Sequence, residues 1–554
     1  TTLSRMNSFG MVGGKPSRQM LTVIAMVLFV FVISVANAAN LQLARYCERA
    51  REVAIRAALG ATRRQLVREL LLESLLIGVL GGVVGLVLAL WFLEVIHMGS
   101  LRLEPPYWIR IGLDARAFVF TLVVSLGAGL VSGLLPTWRI TALDLNPILK
   151  DGGRNLTSLR QGRFSRGLAM LQLGLTATVL ILTGLTVRSV SAIDRADLGY
   201  NPDQVMTARM ALFQNDYPTP AARQEFLASL IGSLEQRPGI RAASATTWLA
   251  DGQKRASHRV TLPERRAPGT PATAEFVAPG FFRSLGRELV AGRDFTADEC
   301  HAPGASVLIN QILARNLFGT EDPVGRQVQI NRGGTDQEPP VLTVVGVAPD
   351  VCLAFALHNQ EIMPALYFPL GAADLTFATV SLYTQLQPDT ALRLLRAEVQ
   401  KLDADLPMYF TRTVREALTI ATWELRLWSA TFQLFGVAAL LLSGVGLHGL
   451  MANAVRQRRQ EISVRLALGA TRREVVRLVL GRAIWQLTFG LGVGFAVAAL
   501  LAMQFGGLFG SAQPLDPAVY GGTLAFLVTL ALIACAPPLR RALKANPFQS
   551  LRWE

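Results

Sequence analysis

"EVAIRAALGATRRQLV" (Glu52–Val67) returns later in the same chain as "EISVRLALGATRREVV" (Glu461–Val476), with ten of the sixteen positions identical. A basic phrase of that length, repeated so far apart, points to a larger repeat around it. An apolar stretch precedes each copy. Another follows, then a short loop with Leu-Asp (Leu113-Asp114, Leu515-Asp516), then a third. Each half closes on a proline–basic–Asn-Pro stretch, "PTWRITALDLNP" (136–147) and "PPLRRALKANP" (537–547). The phrase itself punctuates like two helices with a break. Glu52/Arg56 and Glu461/Arg465 are i,i+4 pairs in the favourable acid-first order. Gly60 and Gly469 stand where a helix ends in a left-handed cap. Thr62 and Thr471 are N-cap residues, and Gln65 and Glu474 three later complete capping boxes. The spacing predicts a short surface helix, a tight corner, and a second helix that runs on into a membrane.

Half of the residues are hydrophobic (51%), and the mean hydropathy is +0.37. Seven apolar stretches approach the roughly 20 residues that cross a bilayer: Met20–Ala39, Leu71–Ile96, Ala117–Leu135, Leu168–Val187, Thr431–Ala454, Ala483–Phe505 and Ala518–Ala536. Small residues spaced by four (Gly78/Gly82, Gly81/Gly85, Gly129/Gly133, Gly490/Gly494) would let helix backbones approach closely in lipid. Between the fourth and fifth stretches, Ser189–Trp428 is polar and mixed. "VMTARMAL", "FATVSLYT" and "VLTVVGV" have strand patterning; "AARQEFLASLIGSLEQ" and "TALRLLRAEVQKL" have helical spacing.

Charge sets the orientation. Asn40–Leu70, Thr137–Arg166, Arg456–Arg482 and Pro538–Glu554 hold 25 of the 54 Lys and Arg residues against 8 acids, whereas the polar domain has 22 bases and 26 acids. The positive-inside rule places the four short segments in the cytoplasm and the domain on the other side. No aromatic platform or nucleic-acid-binding motif accompanies the basic charge, so membrane topology explains it better than nucleic acid. Arg18, the apolar run after it and Ala36-Asn37-Ala38 resemble a secretory signal with a cleavage site. Cleavage would export the first phrase while its twin stays cytoplasmic, so the repeat argues for a retained helix.

"ANAANLQLAR" (36–45) with "REVAIRAALGATRRQLVRELLLES" (51–74) resembles the FtsX-like permease domain of the MacB/FtsX/LolC–LolE class of ABC transporters. "FVAPGFFRSLGRELVAGRDFTADE" (276–299), "VLINQILARNLFGTEDPVGRQV" (307–328) and "VVGVAPD" (344–350) are similar to the MacB-like periplasmic core domain. The duplicated arrangement most resembles the acidobacterial-type (ADOP-like) duplicated permeases. The resemblance implies an α-helical membrane protein with duplicated FtsX-like bundles and one α+β periplasmic domain, in a bacterial inner (cytoplasmic) membrane. It divides the chain into residues 1–19, the tail of a missing first periplasmic domain; 20–150, a first FtsX-like bundle; 151–188, a linker and fourth span; 189–428, the periplasmic core; and 429–554, a second bundle. It makes Glu52, Arg56, Gly60, Thr62 and Arg63, with Glu461, Arg465, Gly469, Thr471 and Arg472, the residues that couple to a cytoplasmic ABC ATPase dimer. Membrane lipid and a periplasmic adaptor or cargo protein are the other implied partners.

The chain has no G-x-x-x-x-G-K-[ST] phosphate loop, no H-E-x-x-H, no G-x-S-x-G and no Cys-x-x-Cys pair. The expectation is a non-enzymatic chain with no cofactor of its own, with ATP reaching the machine through a separate partner. Cys300 and Cys352 share the outer domain, where an oxidising compartment permits a disulfide. With His301 and His358 they also raise zinc as a ligand; unpaired polar surface residues are the simpler reading, and no metal is expected. Glu73 and Arg482 correspond in the repeat, just inside the apolar stretches, and are expected either to pair between the halves or to snorkel separately. Two functions fit: a permease that transmits ATP-driven motion to the outer domain for export, or a non-transporting transmembrane scaffold that regulates a periplasmic partner.

Overall fold

The computed structural model describes residues 11–12, 15–16, 18–49, 52, 55–56, 59–97, 112–141, 157–247, 249, 257–263, 269–301, 304–331, 340–353, 362–373, 375–457, 471–504 and 513–543. They fall into two compact units, Thr1–Ser191 with Leu425–Glu554, and Ala192–Glu424.

The first unit is built on long helices: α1 (Arg18–Glu48), α2 (Arg63–His97), α3 (Ala115–Thr141), α4 (Thr157–Arg195), α5 (Trp423–Gln457), α6 (Arg472–Gln504) and α7 (Pro517–Leu543). Each is long and apolar enough to cross a membrane. Glycine sets the closest approaches. A methyl built on Gly78 of α2 would lie 2.9 Å from the Ser125 carbonyl of α3, and one on Gly129 would lie 2.8 Å from the Ser74 carbonyl. In lipid, where no hydrophobic gain drives helices together, such backbone contact is a main source of cohesion. On the other side, a methyl on Gly490 of α6 would lie 3.0 Å from the Met170 carbonyl of α4, and one on Gly494 would collide with the Gly174 carbonyl. Thr178 of α4 donates to the Gly494 carbonyl at 3.0 Å, and Thr183 donates to the Phe432 carbonyl of α5 at 2.8 Å. α4 is the most enclosed of the seven, with 61% of its apolar window buried.

Where the repeats align, Asn37 of α1 corresponds to Gly446 of α5. The two meet in space: a Cβ on Gly446 would strike Asn37 Oδ1. Asn37 and Gln172 of α4 both donate to the Leu442 carbonyl, at 2.6 and 3.0 Å. A polar knot thus joins α1, α4 and α5 through the two amide nitrogens, while Asn37 Oδ1 and Gln172 Oε1 are buried with no hydrogen-bond partner among the described residues.

Two helices outrun their expected ends. α3 continues past Pro136 to Thr141, and α7 passes through Pro537 and Pro538 to Leu543. A proline inside a helix has no N–H for the carbonyl four residues earlier. For Pro538 that carbonyl belongs to Ala534, and His448 Nδ1 of α5 reaches it at 3.1 Å. A carbonyl only accepts, so Nδ1 carries the proton. The neighbouring helix replaces the donor that proline lacks, which is how membrane helices tolerate such residues.

The second unit is α+β. Its strands are β1 (Val205–Ala211), β2 (Ile240–Thr246), β3 (Ser257–Thr261), β4 (Thr270–Val277), β5 (Ala291–Gly292), β6 (Ser306–Asn310), β7 (Gln327–Asn331), β8 (Val341–Ala348), β9 (Ala365–Pro369), β10 (Phe377–Thr384) and β11 (Met408–Thr413). The order is β9-β6-β8-β7-β3-β4-β2-β10-β1-β11, with β5 on β8 and a further β9–β4 pairing. That parallel pairing (Ala365↔Thr273 to Pro369↔Val277) closes β4, β3, β7, β8, β6 and β9 into a ring. Val260, Val307, Ile309, Val328, Ile330, Val344 and Leu366 fill its core. The open sheet β2-β10-β1-β11 carries the helices Pro220–Glu235 and Pro388–Leu402, whose Leu230, Leu234, Leu395 and Val399 pack against Met206, Ala243, Val380 and Leu382. The patterned segments fold as their periodicity predicts, "VMTARMAL" as β1, "FATVSLYT" as β10 and "VLTVVGV" as β8. Cys300 and Cys352 are both buried and are not joined. The Cys300 carbonyl backs onto Gly371, while the Cys352 N–H bonds to the Leu198 carbonyl at 2.9 Å. His358 lies outside the described residues.

Candidate functional site

The first corner is built from local bonds. Glu52, Ile55 and Arg56 are helical, and the helix ends at Gly60, whose φ of +97° is a backbone conformation that side chains resist. The Ala61 N–H reaches back to the Arg56 carbonyl at 3.0 Å, the six-to-one bond of a Schellman cap. Thr62 then starts α2. Its N–H donates to Gln65 Oε1 at 2.9 Å, and the Gln65 N–H donates to Thr62 Oγ1 at 3.4 Å, so the capping box is reciprocal. The second copy repeats it: the Thr471 N–H donates to Glu474 Oε2 at 3.0 Å and the Glu474 N–H to Thr471 Oγ1 at 3.4 Å. Glu461, Arg465 and Gly469 lie outside the described residues, as does the Arg472 side chain.

Arg56 does more than the i,i+4 spacing implies. It meets Glu52 at 2.5 Å and, across the corner, Glu69 of α2 at 2.7 Å. The Glu69 hydrogen bond, then the Glu69 and Glu52 charges, hold its guanidinium above the ordinary pKa. The two pairs fix the angle between the short helix and α2, although each alone is a modest surface interaction. Glu69 corresponds to Leu478 in the second copy, so this brace belongs to the first corner alone. Glu73 is also engaged within its own half, by Arg49 at 3.1 Å. The chain reverses at the corner and brings the end of α1 beside the start of α2, which supplies Glu73 with a base from its own half. The Arg482 side chain lies outside the described residues.

The corner presents an apolar and a basic surface together. Leu59 is 83% exposed and Ile55 47% exposed, while Arg63 and Arg64 are exposed at the start of α2. Leu66 and Leu70, on the other side of the same turns, are buried and anchor the helix. Leu59 recurs as Leu468, which is the signal that the sequence offers for it. A leucine that exposed, held on a rigid turn among arginines, is suited to a partner surface with an apolar pocket and acids around it.

Comparison with known proteins gives the family. The family model described as FtsX-like permease C-terminal matches residues 24–145 and again 434–547, and that of the MacB-like periplasmic core domain matches residues 167–402. The chain is a MacB/FtsX-like permease. Both corners of this permease fall inside the two FtsX-like matches. Among curated relatives, the uncharacterised ABC transporter permease YknZ of Bacillus subtilis is 26% identical over 61% of this chain and 81% of its own length. The macrolide export ATP-binding/permease protein MacB of Chromobacterium violaceum is 25% identical over 50% of this chain and 43% of its own. The permease thus spans less than half the length of such MacB relatives. Among solved structures, the periplasmic region of MacB from Actinobacillus actinomycetemcomitans aligns at 17% identity over 40% of this chain and 94% of its own, with a TM-score of 0.25.

Proposed function

We propose that this permease is the transmembrane subunit of an ABC-type machine, in which a separate ATPase dimer docks on the two corners and the long helices carry its motion to the outer domain. The observation that carries the reading is the first corner: a Schellman turn, a capping box and the Arg56 brace make it stiff, and exposed Leu59 and Arg63 sit on it directly before a helix that enters the apolar layer. The capping box of the second copy supports a duplicated, ADOP-like arrangement with two equivalent docking elements. The charge distribution supports corners in the cytoplasm and a periplasmic outer domain, with the chain in an inner membrane. Work reaches the outer domain through α4 and α5, the helices by which the chain enters and leaves it. The chain itself performs no chemistry in this scheme. The cargo, and a periplasmic adaptor or cargo protein as partner, are the remaining parts, and lipid surrounds the spans.

The test is purification from native membranes in mild detergent, comparing wild type with an Arg63→Glu/Arg472→Glu double variant and a Leu59→Asp single variant. An ATPase that accompanies wild type and is lost from both variants supports coupling at the corners. A periplasmic protein in every sample, with no ATPase in any, overturns it in favour of a scaffold that transports nothing.

A further inference from the structure

Buried polar atoms without partners gather at one place in the apolar layer. The Leu442 carbonyl of α5 takes the amide nitrogens of both Asn37 and Gln172, which turns the two amide oxygens toward the bare Cα of Gly446. A Cβ there would strike Asn37 Oδ1 and lie 2.7 Å from Gln172 Oε1. Both oxygens are acceptors that no donor among the described residues reaches.

Two hydroxyls in the same seam are also bare. Thr183 of α4 bonds to the Phe432 carbonyl and Gln172 to that of Leu442, so α4 and α5 run antiparallel along the stretch between these contacts. Thr176 lies one turn from Gln172 on α4, and Ser443 one turn from Gly446 on α5, which sets both in that seam. Thr178 and Thr183 of α4 and Thr431 of α5 donate to the carbonyl four residues back, the usual recourse of a hydroxyl within a helix. Thr176 Oγ1 and Ser443 Oγ do not. Both residues are buried, and among the described residues neither oxygen has a partner. Asn40, three residues beyond Asn37 in α1, accepts from Ser165 Oγ at 3.2 Å, but its Nδ2 is likewise bare, which carries polar contacts toward the end of the span.

We propose that Asn37, Gln172, Thr176 and Ser443 form a binding site for one water molecule inside the membrane bundle. Two amide oxygens can only accept, and two hydroxyls can donate, which together complement the two hydrogens and two lone pairs of a single water. Oxygens that border one methyl-sized space are within reach of the same molecule, since water donates at about 2.8 Å. Buried waters hold such otherwise unsatisfied groups, typically through about three bonds. A metal cation would also find oxygens here, but four neutral ligands leave its whole charge in the apolar layer, where desolvation is expensive. The water joins α1 to α4 and α5, the helices by which the chain enters and leaves the outer domain. The inference is independent of what docks at the corners.

The test uses the full chain with Thr176→Val and Ser443→Ala, which remove a hydroxyl at little change in shape. Two quantities are read. Hydroxyl-radical labelling in lipid nanodiscs, with radicals made from water by X-rays, reports internal water at Ile33, a fully buried residue one turn before Asn37. Unfolding in mixed SDS micelles reports the folding equilibrium constant. In wild type Ile33 is labelled; each variant lowers that labelling and lowers the constant about two- to tenfold, the worth of one hydrogen bond. Thr176→Ser keeps the hydroxyl and restores both. The opposite sign overturns the proposal: a hydroxyl buried dry is a burden, and its removal raises the constant. Lost stability with Ile33 unlabelled in wild type, or with labelling unchanged in the variants, is packing alone and also overturns it. So does a constant that shifts when sodium replaces choline in the buffer, which identifies a cation instead.

Discussion

His448 and Pro538 offer a sharp test of how the apolar bundle is held together. His448→Leu removes the donor that serves the Ala534 carbonyl. That carbonyl belongs to a residue only 8% exposed, and Pro538 cannot serve it from within α7. An orphaned buried carbonyl costs about 1–3 kcal/mol, so His448→Leu should destabilise the bundle by roughly that much. Pro538→Ala returns an N–H to the same carbonyl, making the histidine bond redundant. In that background His448→Leu should cost little beyond its change in packing, leaving a coupling energy of about 1 kcal/mol or more between the two sites. The assay is a double-mutant cycle on the detergent-purified chain, with stability read from reversible unfolding in mixed micelles of rising SDS fraction. The same cost for His448→Leu in both backgrounds would refute the argument that one helix completes the hydrogen bonding of another.

Gly60→Ala imposes a left-handed backbone on an L-residue with no clash to add to it, at about 1–2 kcal/mol. Hydrogen exchange in residues 55–66 should quicken about 5- to 30-fold, with Gly60→Asn intermediate and no change elsewhere. Gly129→Leu should separate α2 from α3, because even a methyl there meets the Ser74 carbonyl at 2.8 Å; lost cross-linking between cysteines placed on the two helices is the readout. Glu299, held by Arg293 and by Ser306 at 2.6 Å, has its carboxyl well below the ordinary range. Its stabilisation is therefore present above the unfolded value, about 4.3, and is lost as pH falls through the folded one. Amide protection in 291–310 should weaken below pH ~4 in wild type, and Glu299→Gln should remove that component of the acid dependence.

What the sequence exposes is what neighbouring residues decide among themselves. Gly60, Thr62 and Gln65 act within one turn, so their cap and box could be read from spacing, and the copy at Thr471 and Glu474 could be read with them. Alternation likewise marks β1 and β10, which are buried through most of their length. The missed features join residues far apart in the chain. Nothing local links Arg56 to Glu69, Arg188 to Asp516, or β9 to β4 in a parallel pair that closes a ring. Pro136 and Pro537 look like helix ends to a local rule, but the helices continue; at Pro538 the donor comes from His448, ninety positions away. At Leu59 the sequence signal is its recurrence as Leu468, which is weak because an apolar residue beside a helix is normally counted as core; its 83% exposure marks it out in the structure.

The meeting of Asn37 and Gly446 has a consequence for stoichiometry. On the axis of a true dimer each residue faces its own twin. Here an amide faces a hydrogen atom, and even one methyl on the glycine side would strike Asn37 Oδ1. Two asparagines cannot share that point at this helix separation, and two glycines would leave the Leu442 carbonyl without its 2.6 Å donor from Asn37. Neither half is complementary to itself. Released as separate polypeptides, the first half would be blocked from self-pairing at this position, while the second would forfeit the Asn37 bond and keep only that from Gln172 at 3.0 Å.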